Sequence, residues 1–316
     1  MEESLQKAIF KAWSFRKIYL KHTYTDVYRL VNSYGDNLPE VTIDVYGKQV
    51  LVQYFKPYVK REKELITRTI KEIVSPETIT EKSRFKGKEI ESTSITGPII
   101  PEKFTVKENN VSFEISFREG GGTGLFLDQR DNRMRIKELG RNREVLNCFC
   151  YTSSFSVYAS LGGALKTTNI DLSKKAIEWS KRNFSLNHID FNAHEFIVGD
   201  VWDRINLFFK KGRAFDLIII DPPSFSTSKK KAFAVEKNFP EIIGMGMNIL
   251  RENGVLVFST NLAKMNLSKF FQLLGKAKNF TSKPYKLINL SSQGIDFPVD
   301  GIHFKEPYLK CIMLTC

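Results

Sequence analysis

The chain has 316 residues, of which 42% are hydrophobic, so it is long enough for two globular domains. Its mean hydropathy is -0.26 and no apolar run approaches the roughly 18–20 residues of a membrane span, which excludes an integral membrane protein. Forty-eight lysine and arginine residues against 35 aspartate and glutamate residues give a net charge of +13. This surplus fits either a polyanionic partner such as nucleic acid or an ordinary solubility charge.

The N-terminal segment and the cysteine content bear on the cellular compartment. Charges interrupt the apolar positions of the first 22 residues, which therefore lack the core of a signal peptide. The four cysteines are Cys148, Cys150, Cys311 and Cys316, and neither pair has the C-x2-C spacing of a zinc site. Few cysteines in a chain of this size are typical of a reducing cytosol. We therefore expect a cytoplasmic protein without a metal site.

The first part of the chain is predicted to form a helix and a small α+β domain. Residues 1–22 contain the helix, at Ser4–Leu20, and residues 23–118 form the domain. The domain contains one helix, Val59–Val74, and several β-rich runs, which are Val27–Val31, Val41–Val45, Val50–Phe55, Thr78–Glu81, Glu89–Ser94 and Val111–Phe117. The glycines at 120–122 then predict a flexible joint or a hairpin turn.

Residues 119–316 are predicted to form a second domain in which strands and helices alternate. The predicted strands are Val145–Phe149, Thr167–Ile170, Glu195–Val198, Phe215–Ile220 and Val255–Ser259. The predicted helices are Ser154–Leu161, Leu172–Leu186, one from Asp200 to about Lys211, and Pro240–Leu250. Alternation at this spacing is typical of parallel βαβ units. The predicted fold class is therefore α/β, with a Rossmann-like sheet and a smaller N-terminal α+β domain.

Three aspartates follow successive predicted strands. Asp171 comes 24 positions after Asn147, where a carboxylate accepts the hydroxyl hydrogens of a ribose. Asp200 follows the next strand, where an acidic side chain can bind the amine of an adenine, and Asp221 follows the most apolar strand. Each aspartate alone is more often a helix cap or a solvated loop charge than a ligand-binding residue. Together they predict a site for a nucleoside cofactor.

The loop after the first of these strands bears on which cofactor that is. Dinucleotide folds need G-x-G-x-x-G here, so that the backbone can approach a pyrophosphate. The loop Cys150–Ser154 reads CYTSS and contains no glycine. This sequence argues against NAD but is compatible with S-adenosylmethionine, which has no phosphates.

The segment Asp221–Phe225 reads DPPSF and points to a substrate. Its prolines, Pro222 and Pro223, fix φ and remove two N–H donors, so that carbonyl groups remain as acceptors. An acceptor there can hold the amino edge of a flat base while Phe225 stacks on its face. The alternative is a plain rigid turn.

A lysine run, Lys229–Lys231, follows this segment, with Phe233 nearby. Lysines next to a base site and interleaved with an aromatic ring are suited to hold an RNA backbone. The alternative is a solvated surface.

The sequence resembles the class I S-adenosylmethionine-dependent methyltransferases that modify large-subunit ribosomal RNA. Two branches are similar, the cytosine-C5 enzymes and the guanine-N7 methyltransferase half of the bifunctional 23S rRNA enzyme. Segment Thr123–Arg130 (TGLFLDQR) matches the motif T-G-x-[FY]-L-D-x-R of this family, segment 28–39 resembles its small domain, and segment 308–310 (YLK) resembles its closing strand.

This resemblance completes the predicted site and implies S-adenosylmethionine as cofactor and 23S rRNA, or a precursor of the large subunit, as partner. The predicted cofactor-binding residues are Gln129, Arg130, Asn147, Cys148, Tyr151, Thr152, Asp171, Leu172, Asp200, Val201 and Asp221. The predicted catalytic residues are Asp221, Pro222, Pro223 and Phe225. The predicted RNA-binding residues are Lys229, Lys230 and Lys231.

Two departures from the family decide between the functional alternatives. Family members usually carry glycine where this chain has Ser153, which is expected to crowd the methionine end of the cofactor. The cytosine-C5 branch carries a cysteine where this chain has Thr260, and that reaction needs a thiolate to activate the base. Guanine N7 has a lone pair and needs only orientation.

We therefore expect guanine-N7 methylation. A cytosine-C5 enzyme that uses Cys148 or Cys150 is the first alternative, and a non-catalytic RNA-binding or ribosome-assembly protein is the second. A protein or small-molecule methyltransferase is a further possibility, against which the basic surplus of 119–316 argues.

Overall fold

The computed structural model describes residues 2–21, 23–85, 92–118, 122–223, 225–227, 232–302 and 306–316. The chain divides into two compact units. Unit 1 comprises Met1–Asp128 and Gly294–Lys305, and unit 2 comprises Gln129–Gln293 and Glu306–Cys316. The domain boundary proposed from the sequence, between residues 118 and 119, lies ten residues before the end of the first segment of unit 1. The described ranges contain no helix long and apolar enough to cross a bilayer.

Unit 1 is built on a five-stranded sheet with the order β1-β2-β3-β4-β5. Its elements are α1 (Glu2–Leu20), β1 (Val27–Asn32), β2 (Val41–Tyr46), β3 (Gln49–Tyr54), α2 (Lys60–Val74), β4 (Thr78–Ser83), β5 (Ser92–Thr96), β6 (Phe104–Glu108) and β7 (Val111–Ile115). Strands β3 and β4 are parallel, with α2 as their crossover, whereas the other neighbours in this sheet are antiparallel. Strands β6 and β7 form a separate hairpin. The core lies where the helices cover the sheet.

The segment Gly294–Lys305 lies far along the chain from the rest of unit 1 but is bonded into it. Arg16 is 2% exposed, pairs with Asp36 at 2.5 Å and donates to the carbonyl of Asp296 at 2.8 Å. The Asp296 carboxylate accepts the backbone N–H of Arg29 at 2.9 Å. Asn32 donates to the carbonyl of Pro298 at 2.8 Å. Such fully paired buried charges hold a segment in one place, because breaking one pair leaves a charge without a partner.

Unit 2 contains a seven-stranded sheet with helices. Its elements are α3 (Arg130–Leu139), β8 (Glu144–Cys148), α4 (Ser154–Leu161), β9 (Lys166–Asp171), α5 (Lys174–Leu186), β10 (Glu195–Val198), α6 (Val201–Lys210), β11 (Phe215–Ile220), β12 (Phe225–Thr227), β13 (Ala232–Ala234), α7 (Val235–Asn248), β14 (Leu250–Thr260), α8 (Leu267–Lys276), β15 (Lys286–Ser291) and β16 (Lys310–Thr315).

The strand order of this sheet is β10-β9-β8-β11-β14-β16-β15. The first five strands are parallel to one another, and β16 is antiparallel to both of its neighbours. The apolar residues of β11 are buried because helices cover both faces of a parallel sheet. The predicted Rossmann-like α/β fold is confirmed. The order reverses between β8 and β11, and ligands bind at such a switch point.

Helix α7 packs against β11 and β14 at Gly246. A Cβ atom on Gly246 would lie 2.6 Å from Leu256 Cδ1 and 3.1 Å from Ile220 Cδ1, so a larger residue would require these two side chains to move. The helix runs from Val235 to Asn248, whereas Pro240–Leu250 was predicted. Residues 249 and 250 instead precede or enter β14, where Ile249 and Leu250 are buried.

Candidate active site

The carboxyl ends of five parallel strands lie level in the sheet of unit 2. Cys148 is paired in register with Ile170 on one side and with Ile220 on the other. Ile220 is in turn paired with Phe258, and Val198 with Asp171. The residues that follow these pairs therefore emerge at one edge of the sheet. That edge carries all three aspartates predicted from the sequence.

Asp171 is held by the backbone on both sides. Its Oδ2 accepts the N–H of Tyr151 at 2.9 Å, and its Oδ1 accepts the N–H of Ser173 at 2.8 Å. Burial raises the pKa of Asp171, and these N–H donors partly oppose that effect. The backbone N–H of Leu172 also interacts with this carboxylate. A carboxylate offers about four acceptor positions, so Asp171 can still accept a hydroxyl of a ribose.

The loop after β8 adopts a conformation that favours glycine but contains none. Phe149, Tyr151 and Ser153 have φ values of 56°, 49° and 59°, in the left-handed region. Each such residue costs about 1 kcal/mol or more, so the surroundings must hold the loop in place. Helix α5 does so. Its Ser180 hydroxyl lies 3.0 Å from the carbonyl of Tyr151, and its Asn183 amide donates to the carbonyl of Thr152 at 3.0 Å.

Ser153 occupies the position where family members usually carry glycine. Its side chain is fully buried, and its hydroxyl donates to Ser180 Oγ at 2.8 Å. The hydroxyl that was expected to crowd the cofactor therefore faces helix α5. Its φ of 59° explains why glycine is suited to this position.

Asp200 and its neighbours form the next part of the edge. Asp200 caps α6, since its Oδ1 accepts the N–H of Asp203 at 3.2 Å. The cap uses one of its two carboxylate oxygens. Leu172 is 49% exposed and offers an apolar surface beside Asp171, whereas the Val201 side chain is 2% exposed and belongs to the core. Val201 can therefore offer a ligand little more than its backbone.

Several residues predicted to bind the cofactor are buried beneath the edge. Asn147 is 1% exposed and donates to Ser156 of α4 at 2.9 Å. Cys148 is fully buried in the main core, and Thr152 and Arg130 are 1% and 2% exposed. Of these side chains, Asn147 links the end of β8 to α4.

Asp221 lies at the end of a chain of buried polar side chains that the sequence does not reveal. Its carboxylate accepts the Ser259 hydroxyl on one oxygen and the Gln129 amide, at 3.3 Å, on the other. Gln129 also donates to Ser259 at 3.1 Å and accepts from Asn132 at 2.7 Å. Asn132 in turn accepts from Ser291 at 2.8 Å. Gln129, predicted to bind the cofactor, has its amide group engaged within this network, and we infer that it positions Asp221.

We expect Gln129→Met to lower kcat/KM about 5- to 150-fold, because losing one donor to a buried carboxylate costs about 1–3 kcal/mol. Methionine keeps the volume of the side chain, so kcat should fall while the Kd for the cofactor stays within about threefold. The assay is steady-state methyl transfer with titrated cofactor. Thr167→Val, another buried polar residue but one outside the site, is the matched control. Equal activity of Gln129→Met and Thr167→Val would contradict the positioning role.

The rest of the predicted catalytic segment is described in part. Pro222 is buried and Pro223 is exposed. The backbone of Phe225 begins β12 and is paired with Ala234. Ser224 and the predicted RNA-binding residues Lys229, Lys230 and Lys231 lie outside the described residues.

Thr260 and the cysteines decide what nucleophilic chemistry this edge can support. Thr260 is fully buried, and its hydroxyl accepts the N–H of Leu262 at 3.3 Å. Burial strongly raises the pKa of the Cys148 and Cys150 thiols. Burial also raises the pKa of Cys311, to about 12. These three thiols are therefore protonated at neutral pH, and a protonated thiol is a poor nucleophile.

The level strand ends, the carboxylates of Asp171 and Asp200 and the switch point form the arrangement expected of a nucleoside-binding α/β enzyme. A profile of the S-adenosylmethionine-dependent methyltransferase family matches residues 32–279. The chain belongs to this family, and it is an enzyme that uses S-adenosylmethionine.

Similar proteins of known sequence and structure agree with this assignment. YwbD of Bacillus subtilis is 33% identical over 92% of this chain and 74% of YwbD. Ribosomal RNA large subunit methyltransferase I of Aeromonas salmonicida is 31% identical over 91% of this chain and 74% of that protein. The crystal structure of SMU.776 complexed with SAH has a TM-score of 0.92 and 33% identity, and the match covers 100% of this chain and 82% of that one.

The residues at the edge fit S-adenosylmethionine. Asp171 retains acceptor positions for a ribose, Leu172 offers an apolar surface for a flat base, and Asp200 offers an acceptor for an amine. The cofactor, when bound, supplies an electrophilic methyl group on a sulfonium.

Proposed function

We propose that this methyltransferase modifies N7 of a guanine in the 23S RNA of the large ribosomal subunit. The relative from Aeromonas salmonicida is named as a methyltransferase of large-subunit ribosomal RNA. The net charge of +13 suits a polyanionic substrate. N7 is proposed as the acceptor because of the residue at position 260.

The observation that carries the N7 assignment is the buried Thr260 at the end of β14. The cytosine-C5 branch, which the sequence also resembles, has a cysteine there. Carbon 5 of cytosine becomes nucleophilic only after a thiolate adds to carbon 6. The threonine hydroxyl is not acidic enough to serve, and Cys148, Cys150 and Cys311 are buried with raised pKa values.

Methyl transfer to N7 requires fewer catalytic groups than transfer to carbon 5 of cytosine. The N7 lone pair is available at neutral pH, so neither a general base nor a covalent intermediate is needed. The protein must hold the base so that N7 faces the methyl group, and orientation of this kind supplies a large part of the rate enhancement. In the proposed mechanism the Asp221 carboxylate, fixed by Ser259 and Gln129, accepts the N–H groups on the amino edge of guanine. That contact leaves N7, on the other edge, free to react.

The remaining predicted residues have supporting roles in this proposal. Pro222 and Pro223 restrict the backbone next to Asp221, and Phe225 stacks on the base. Lys229–Lys231 contact RNA phosphates close to the modified nucleotide.

The test is nucleoside mass spectrometry of 23S rRNA from cells with and without the gene. We expect one 7-methylguanosine to disappear when the gene is deleted and to return when it is restored. The proposal also requires that the 5-methylcytidine content of the 23S rRNA is unchanged by the deletion. Loss of 5-methylcytidine instead would favour the cytosine-C5 alternative, and unchanged rRNA would contradict both assignments.

A further inference from the structure

The outer side of helix α1 and the residue after it carry four lysines and almost no acidic residues. The side that packs on unit 1 consists of Leu5, Ile9, Ala12 and Arg16. With 3.6 residues per turn, Lys7, Lys11 and Lys17 project from the opposite side. Lys21 directly follows the last residue of the helix, and all four lysines are exposed. We refer to these four residues as the lysine face. No acidic residue occurs between Glu3 and Asp26.

The lysine face lacks the acidic partners that some other lysines of this unit have. On α2, Lys60 lies 3.8 Å from Glu64, and Lys63 lies 3.4 Å from Glu81. Within the described ranges, no ion pair involves any lysine of the lysine face. Lys7 and Lys11 are also four residues apart, as are Lys17 and Lys21, and like charges at this spacing destabilise a helix. An external anion would relieve that repulsion.

An aromatic ring accompanies the lysines. Lys17 lies 4.6 Å from the ring centroid of Trp13, which precedes it by about one turn. Surfaces that bind unpaired nucleotides combine cations, which contact the phosphates, with aromatic rings on which bases stack. Lys17 and Trp13 supply one such pair on α1.

We propose that the lysine face, together with Trp13, binds an unpaired segment of the RNA substrate. This inference rests on the proposed function. Within α1, Lys7 and Lys17 are ten residues apart, about 15 Å along the helix, a length that spans several phosphates. A membrane surface is a poor alternative occupant, because the apolar side of α1 is already buried against its own unit.

The test compares two variants that remove equal charge from the same unit. One is the lysine-face variant, K7Q/K11Q/K17Q/K21Q. The control replaces four exposed basic residues of α2, where acidic residues are interleaved, and is K60Q/R61Q/R68Q/K71Q. Glutamine is a good helix former, so both helices should persist, and thermal unfolding checks this.

The readout is the binding of deproteinised 23S rRNA between about 50 and 200 mM salt. The lysine-face variant should lose affinity, and its plot of log K against log salt should be shallower by up to about 2.8, at about 0.7 per phosphate of a single strand. The α2 control should keep a slope close to that of the parent.

An unchanged slope in the lysine-face variant, or equal losses in both helices, would overturn the inference. If the lysine-face variant kept RNA binding but lost binding to an acidic protein, the face would belong to a protein partner, and the inference would also be overturned.

The proposed function is checked separately, by an assay of methyl transfer. If the parent methylates guanine and the lysine-face variant has the same KM for RNA as the parent, only the inference is contradicted. A parent that binds RNA through this face but methylates no guanine contradicts only the proposed function.

Discussion

Alanine in place of Asp221 is expected to lower methyl transfer about 100-fold or more. The carboxylate is the acceptor proposed to hold the amino edge of guanine, and a displacement of about 1 Å in a reacting group already costs about 100-fold. The assay uses labelled S-adenosylmethionine and deproteinised 23S rRNA, or a precursor particle if naked RNA is inert. Asp216→Ala is the matched control, since Asp216 lies on the same strand but pairs with Arg251 at 2.7 Å.

The same assay separates the two types of base chemistry. Replacement of all four cysteines by serine should leave most of the activity, provided that the variant folds, because the proposed reaction has no thiolate step. The label should appear in 7-methylguanosine. Label in cytosine that is lost with Cys148→Ser or Cys150→Ser would contradict the N7 assignment, as would an Asp221→Ala enzyme as active as Asp216→Ala.

Alanine in place of Asp171 is expected to weaken S-adenosylmethionine binding about 10- to 100-fold. Loss of a hydrogen bond to a charged group typically costs about 1.5–3 kcal/mol. The substitution also removes the acceptor for the N–H groups of Tyr151 and Ser173, which fixes the loop after β8. Isothermal titration calorimetry measures the change directly.

Asp190 provides the control for this experiment. It also accepts a backbone N–H, that of Asn192 at 3.0 Å, but it caps a short turn before β10. Asp190→Ala should therefore bind the cofactor like the parent. Parental affinity in Asp171→Ala would argue against the ribose assignment.

The alternating part of the fold could be predicted because short strand patterns alternate with helical ones and polar residues or glycines mark the strand ends. Phe215–Ile220 was predicted with the bounds that the structure has, and its buried residues show why. Helix α3 was missed because its ten residues, RDNRMRIKEL, are mostly charged or polar. Three of its four buried residues are polar or charged, namely Arg130, Asn132 and Arg133. The edge strand β15 was missed because its residues are mostly exposed, so the strand shows no clear apolar pattern.

The candidate site was predictable where a residue type follows a strand end, and not where a contact joins distant segments. Asp171, Asp200 and Asp221 follow from their positions after predicted strands. The bond between Ser259 and Asp221 joins two strands that are neighbours only in the folded sheet. Asp200 caps α6 with one carboxylate oxygen, which leaves the other oxygen for the amine of an adenine. A structural role and a binding role for the same aspartate are therefore compatible.

The return of the chain at Gly294–Lys305 has a practical consequence for dissecting the protein. A recombinant fragment that ends at Asp128 is not a full copy of unit 1, because it lacks the partners that Asp296 gives to Arg16 and Arg29. In that fragment Arg16 would keep its ion pair with Asp36 but would lose the Asp296 carbonyl as an acceptor. A buried donor without an acceptor is destabilising. A faithful version of this unit would have to join residues 294–305 to the fragment through a designed linker, and a swap of unit 1 between relatives would have to exchange both segments together.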